Sequence, residues 1–446
     1  MSSPFYLIAG LGKTGLSIAR YLRRRNVLFA VFDTRLEPAG MDDFYAEFPD
    51  VTVYLNDFPV SGYAALTGII SSPGIALDTP LMQRAMAHDI PVFGDIECLA
   101  REVLAPIVAI TGTNGKSTVT TLVGEMAKAA GISVAVAGNI GTPVLDLLDD
   151  GTSYDLWVLE LSSFQLDLVT SLSPIAATIL NVTPDHLDRH HSLDAYRASK
   201  QRVYHRAKTR LYNREDSQSY PQSNDPQSVL VSFGEDEPVS ANWGLIETDG
   251  VVYLAYGQTR LLPVNELRIK GSHNWANALA ACALAHAVGI SFDDMIGVLK
   301  RFSGLPHRSQ WVRTMDGVDW INDSKGTNIG ATISAISGIG GAMQGKIVLI
   351  AGGQGKGADF TTLRFALTDY VRSMVLLGED ADLMEKALVD VVPIVRASNL
   401  DEAVLLAKAQ SQPGDVVLLS PACASLDMFR DFNHRGDVFT AKVNAL

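Results

Sequence analysis

Short β-branched apolar runs alternate with longer stretches of helical spacing along nearly the whole chain. Residues 6–9 read as a strand, 15–24 as a helix and 28–32 as the next strand. The rhythm restarts with a strand at 107–110, a helix at 116–130 and strands at 133–137, 157–161 and 177–181. Runs of four or five apolar residues with no polar alternation suit strands buried on both faces. A βαβα succession predicts parallel sheets covered by helices, an α/β protein whose ligands gather at the carboxyl ends of its strands.

Two boundaries interrupt the pattern. One lies near 94–105, before the strand that restarts the rhythm; the other lies near 304–306, after a helical stretch over 274–302. The polar segment 213–227 reads as an exposed insertion, because strand patterns resume at Val229. The layout expected is three α/β domains: a Rossmann-like one over 1–95, a P-loop-type one over 96–304 and a second Rossmann-like one over 305–446.

Composition narrows the class. A chain of 446 residues, 47% apolar and 19% charged, is ordinary for about three globular domains. Its net charge of −13 argues against nucleic acid as a partner, since that needs a basic face. Local backbone donors still allow anionic ligands. No targeting segment and no apolar run of the ~20 residues needed to span a bilayer is expected. Cys98, Cys282 and Cys423 are isolated and odd in number, which suits a reducing, cytoplasmic setting and buried thiols.

Three glycine loops carry candidate chemistry. The first, Gly10-Leu11-Gly12-Lys13-Thr14-Gly15, is a G-x-G-x-x-G between strand and helix, with Asp33 18 residues further on. It reads as a dinucleotide fingerprint for NAD, as a site for another nucleotide diphosphate such as a UDP-sugar, or as a tight turn alone. The second, Thr111-Gly112-Thr113-Asn114-Gly115-Lys116-Ser117-Thr118, resembles a P-loop ending in Gly-Lys-Ser, although Ile110 stands where the full pattern has its first glycine. Its amides suit ATP phosphates, Lys116 the terminal phosphates and Ser117 a Mg²⁺ ion. The third, residues 352–357, has Lys356 followed by Gly357, so it implies no second triphosphate site. It either aims one lysine at an anionic substrate or is a plain turn.

Candidate metal ligands lie after neighbouring strands. Glu160 ends the run 157–161, where a carboxylate would face the P-loop. Asp185, His186 and Asp188 follow Asn181 in a run that reads equally as a solvated loop. With no H-E-x-x-H and no cysteine partner, a zinc hydrolase is a poor reading. Lys200 reads, on local grounds, as an exposed helix lysine.

Taken in order, TGTNGKST at 111–118, ELSS at 160–163, NVTPDHLD at 181–188 and GLPHR at 304–308 resemble the ATP-dependent Mur ligases over essentially the whole chain. The segment 419–427 is similar to the family's D-glutamate-adding members, and the last domain has no D-N-P-R motif of the diaminopimelate-adding ones. The resemblance implies an ATP-dependent acid–amino-acid ligase of cytoplasmic peptidoglycan precursor synthesis, acting as a monomer on UDP-N-acetylmuramoyl-L-alanine, D-glutamate and ATP.

It also implies roles. Gly12, Lys13, Thr14, Asp33, Thr34, Arg35, Ser72, Pro73 and Gly74 would hold the UDP moiety, with Asn139 on the sugar. Lys13 departs from the family's usual residue there. Gly112, Thr113, Asn114, Gly115, Lys116, Ser117 and Thr118 would hold ATP phosphates. Asn274, Asn277, Arg308 and Asp323 would surround the nucleotide. Ser117, Glu160, His186 and a carbamylated Lys200 would serve two Mg²⁺ ions, with Lys116, His186 and Lys200 in the catalytic group. Lys325, Thr327, Lys356, Ser425, Leu426 and Phe432 would form the D-glutamate end. The resemblance thus demotes NAD in the first loop and overturns the local reading of Lys200. The rivals are a nicotinamide dehydrogenase, which leaves 111–118 unexplained; a P-loop switch; and a folylpolyglutamate-type ligase, against which the UDP-type first domain argues.

Overall fold

A computed structural model describes residues 4–38, 40–269, 271–341, 343–355 and 357–446. The chain condenses into two compact units, residues 1–233 with 280–295 and residues 234–279 with 296–446.

The first unit holds two all-parallel sheets. In one, β1 (Phe5–Ala9), β2 (Leu28–Asp33), β3 (Val53–Leu55), β4 (Gly68–Ser71) and β5 (Val92–Gly94) run in the order β3-β2-β1-β4-β5. Strand order reverses between β1 and β4, the crevice where α/β folds bind ligands. In the other, β6 (Ile107–Thr111), β7 (Val134–Gly138), β8 (Leu156–Glu160), β9 (Ala176–Ile179), β10 (Thr209–Asn213) and β11 (Val229–Phe233) run β11-β10-β9-β6-β8-β7. Every residue of β6 and β8 is buried, and each is apolar up to its last residue, Thr111 and Glu160.

The two sheets share one core. Ile8, Phe29, Val31 and Phe93 pack in the same cluster as Ile107, Trp157 and Leu159. Leu7, Phe32 and Ile69 cover the other face of the first sheet with Met82 and Tyr63. The junction at 94–105 is therefore a connection in the chain and not a break in packing. It is pinned by Glu97, a buried carboxylate that accepts from the backbone N–H groups of Thr170 at 2.7 Å and Ser171 at 2.9 Å and pairs with Arg101.

The second unit holds an antiparallel meander, β12 (Trp243–Thr248), β13 (Val251–Tyr256) and β14 (Thr259–Pro263). It also holds a sheet of β15 (Gln310–Met315), β16 (Val318–Asn322), β17 (Ile347–Ala351), β18 (Val371–Leu376), β19 (Ile394–Arg396) and β20 (Val416–Leu419), ordered β15-β16-β20-β17-β18-β19. Only the edge strand β15 is antiparallel there. Ile347, Leu349 and Ala351 face one core and Val348 and Ile350 another, the two-sided burial of a doubly covered sheet.

Most expected elements form within a residue or two of their expected ends. Three details differ. The stretch 274–302 is two helices, Ser272–Ala287 and Phe292–Arg301, broken by Gly289 at φ +84°. The polar segment 213–227 is not wholly exposed: Ser219 is fully buried, and the Tyr204 hydroxyl donates to the carbonyls of Leu211 and Ser219. The hydrogen bonds come from a buried tyrosine in a neighbouring turn, which the segment's polar composition masks. Compactness, finally, does not divide at residue 304. The three cysteines are buried and unbridged. Among the described residues no helix is long and apolar enough to cross a membrane.

Candidate active site

The P-loop forms where β6 ends and the helix Lys116–Ala129 begins. Gly115 caps that helix in the left-handed region, at φ +82°, which a side chain would strain. The first turn of the helix has backbone N–H groups with no partner inside the helix, the general basis of an anion site at a helix N-terminus. The loop is laced to the segment after β9. Thr113 N donates to Asn181 O at 2.9 Å, and the Asn181 side chain pairs with both N and O of Asn114 at 2.8 and 3.1 Å. Thr113 Oγ1 accepts from Thr183 N at 3.0 Å.

The predicted catalytic and metal-binding side chains converge here. Ser117 Oγ donates to Glu160 Oε2 at 2.5 Å, and Asn139 Nδ2 donates to Glu160 Oε1 at 3.0 Å. Lys116 Nζ donates to the carbonyls of Gly112 and Thr113, both at 2.9 Å. Lys200 is buried, not exposed: its Nζ donates to Gly112 O at 2.8 Å and lies 4.4 Å from the centre of the Tyr196 ring. Burial, and secondarily the charge of Lys116, drive its pKa well below the ordinary lysine value, against the pull of Asp185 and Glu160. His186 is the half-exposed member, its ring edge-on to Phe164 with centroids 5.0 Å apart.

Among the described residues no three His, Cys, Asp or Glu side chains cluster as a self-sufficient metal cage. That pattern fits Mg²⁺, which usually takes one or two carboxylates and completes its shell with phosphates and water. Glu160 beside the Ser117 hydroxyl supplies the hard oxygen donors such an ion needs.

A second cluster of expected residues lies at the carboxyl edge of the first sheet. Gly12, Lys13 and Thr14 open the helix Lys13–Arg24, and Ser72 N donates to Ala9 O at 2.7 Å, setting 72–74 beside the loop. Asp33 is fully buried: its Oδ2 accepts from Leu11 N at 2.7 Å, and both its oxygens bind the Arg35 guanidinium. Burial opposes ionisation of Asp33, yet those hydrogen bonds hold its pKa below the ordinary value. Asp33 thus shapes the glycine loop from within, while Thr34 and Arg35 are the exposed members of the triplet.

In the second unit, Asp323 follows β16 and accepts from Ser309 N at 3.0 Å and Ser420 Oγ at 2.7 Å. Burial pushes its pKa up to about 6, with Ser420 and Arg308 among the groups that oppose the rise. Lys325 Nζ sits 4.0 Å from the centre of the Phe432 ring, at the start of the helix Phe432–Ala445. Ser425 is buried and Leu426 exposed in the turn after β20, while Thr327 N donates to Lys325 O at 2.7 Å. Asn277 Nδ2 donates to Asn274 Oδ1 at 3.1 Å. Lys356 lies outside the described residues, as does the side chain of Asp188.

Four residues not singled out as site residues in the sequence join the first unit's site: Asn181, Tyr196, Arg189 and His190. Arg189 lies over Phe164 at 4.5 Å; His190 stacks on the same ring at 5.2 Å and bonds Ser163 Oγ at 2.9 Å. A polar side chain three or four residues past NVTPDH gives no local sign of such a partner.

A P-loop carrying a lysine, a serine–carboxylate pair and a buried second lysine is the apparatus of an ATP-dependent ligase. Family models describe the chain in three consecutive parts: a Mur ligase MurD-like N-terminal domain over residues 5–94, a Mur ligase middle domain over 110–285 and a Mur ligase glutamate ligase domain over 307–423. The chain belongs to the Mur ligase family. It is 67% identical over 447 residues to a UDP-N-acetylmuramoylalanine--D-glutamate ligase of Legionella pneumophila, covering 100% of both chains. It is 50% identical to the enzyme of that name from Pseudomonas aeruginosa, covering 100% of this chain and 99% of that one. Solved relatives share the fold at lower identity. UDP-N-acetylmuramate-alanine ligase MurC from Thermotoga maritima matches at 17% identity with a TM-score of 0.60, covering 100% of each chain. MurF from Thermotoga maritima, in complex with ADP, matches at 16% with a TM-score of 0.60, covering 99% of this chain and 96% of that one.

Proposed function

We infer that this chain joins D-glutamate to UDP-N-acetylmuramoyl-L-alanine with ATP, in peptidoglycan precursor synthesis. The observation that carries the reading is full-length identity of 67% to a D-glutamate ligase, with the P-loop's Ser117 set against Glu160. Residues 1–95 take the UDP-sugar, 96–304 take ATP and 305–446 take the amino acid; the protein works as a cytoplasmic monomer.

A carboxylate is a poor acylating group, so the alanyl carboxylate must first be phosphorylated. Lys116 and the amides of 115–118 stabilise charge on the transferring phosphoryl group. Bound Mg²⁺, two ions in this reading, would supply further neutralisation there, held by Ser117, Glu160, His186 and the Lys200 position. Lys200, depressed toward its neutral amine by burial, is suited to take up CO₂, since carbamylation turns the side chain into an anion that favours a metal. The D-glutamate amine, placed by Lys325, Thr327, Lys356, Ser425, Leu426 and Phe432, then attacks the acyl phosphate, and phosphate leaves. Asn274, Asn277, Arg308 and Asp323 hold the nucleotide. Asn139, anchored on Glu160, contacts the sugar.

Phosphate release measured with ATP, Mg²⁺, UDP-N-acetylmuramoyl-L-alanine and single amino acids tests the reading. Release is expected with D-glutamate only. Release independent of any amino acid would restore the P-loop switch, and reduction of NAD would restore the dehydrogenase.

A further inference from the structure

Three consecutive carbonyls of the loop after β4 point at one guanidinium. Arg189 Nη2 donates to Pro73 O at 3.2 Å and to Ile75 O at 2.7 Å, and Arg189 Nη1 donates to Gly74 O at 3.2 Å. The same guanidinium lies over Phe164, 4.5 Å from the ring centre. Phe164 follows the strand that ends in Glu160, and the ring also carries His186 on its edge and His190 on its face. A cavity of about 140 Å³, lined by Ile75, Leu77, Leu168 and His191 among others, lies beside this junction. The arginine is thus a polar tie from this loop to the second sheet, beside the His191–Asp78 pair at 3.9 Å.

We propose that Arg189 is a positioning residue for the UDP-sugar: it holds the 73–75 backbone in register with Phe164, and so with His186 and Glu160. This rests on the ligase reading above. A guanidinium suits the task because its planar fork can donate to several acceptors while its face stays on an aromatic ring; a lysine ammonium offers a point charge without the plane. The neighbouring Ser72 N is already committed to Ala9 O. Removing Arg189 frees the rest of the loop, not its first residue, so sugar binding should weaken while the P-loop, laced independently by Asn181, keeps its shape.

The test compares Arg189→Ala and Arg189→Lys with the unaltered protein, using KM for UDP-N-acetylmuramoyl-L-alanine and for ATP, and calorimetric binding of the UDP-sugar alone. A rise of about tenfold in the UDP-sugar KM and Kd is expected for the alanine variant, the scale of losing a charge-assisted contact set. The ATP KM should stay within about twofold, and the lysine variant should recover part of the loss. An unchanged UDP-sugar Kd overturns the proposal. So does an equal rise in both KM values with a lowered Tm, which marks a merely structural arginine. Should the alanine variant not fold, the lysine variant decides by the same two constants. If the unaltered protein shows no D-glutamate-dependent turnover, the ligase reading fails separately, and direct UDP-sugar binding still decides the role of Arg189.

Discussion

Lys116 and Lys200 donate to the same acceptor, the carbonyl oxygen of Gly112, at 2.9 and 2.8 Å. Two ammonium groups on one carbonyl repel each other, and the buried one is depressed. Lys116, at the start of the P-loop helix, is the lysine that also reaches the carbonyl of Thr113. Lys116→Ala should abolish acyl-phosphate formation while leaving UDP-sugar binding intact, because the first-sheet loops do not depend on it. Trapping of the acyl phosphate together with calorimetric UDP-sugar titration separates the two; loss of both would show that Lys116 shapes the loop instead.

Lys200 should carry a carbamate in the active protein. Activity is expected to fall in CO₂-free buffer and return with bicarbonate, and Lys200→Ala should be inactive but partly restored by a small carboxylic acid. Full activity without CO₂, with an intact mass that lacks the carbamate, counts against the modification.

Legibility in the sequence follows the range of the interactions. The P-loop is readable because its glycines, lysine and serine act within a single turn. Lys200 is not: helix spacing makes a lysine look solvated, and only its bond to Gly112, 88 residues away, shows it buried. The family resemblance drew it toward the metal site instead. Arg189 escaped both, since its partners at 73–75 are more than 110 residues distant and its own neighbours read as a polar loop. Strand positions were readable for the opposite reason, two-sided burial leaving β17 apolar throughout and β6 apolar up to Thr111.

Asp95 should make stability fall as pH rises. It opens the helix Asp95–Glu102, and its Oδ1 is buried with no hydrogen-bond partner. Burial raises its pKa to about 6 from 3.8, only partly opposed by the N–H groups of Ile96 and Asp95. The folded chain thus binds more protons than the unfolded one between those values. The contribution is fully present below 3.8 and lost as pH climbs through about 6. Asp95→Asn should stabilise the protein by on the order of 2 kcal/mol at pH 8 and by clearly less at pH 5. Urea midpoints at the two pH values check this; equal gains at both would refute it.

Gly138→Ala should damage stability and turnover together. Gly138 sits at φ +105°, and a Cβ there would lie 2.1 Å from the carbonyl oxygen of Glu160. Relief requires moving the end of β8, and with it the Glu160 carboxylate. A loss of about 2–4 kcal/mol is expected by denaturant titration, with kcat reduced even where the variant remains folded. A near-native midpoint would mean that β7 yields more easily than its register with β8 suggests.

The apolar seam joining Ile8, Phe29 and Phe93 to Ile107 and Trp157 has a practical corollary for inhibitor discovery. A fragment severed near residue 95 would present that seam as a raw, water-facing flank, prone to self-association and to promiscuous capture of greasy compounds. Screens aimed at the UDP-sugar site proposed for 12–14 and 72–74 are better run on the intact chain, where the flank stays sealed.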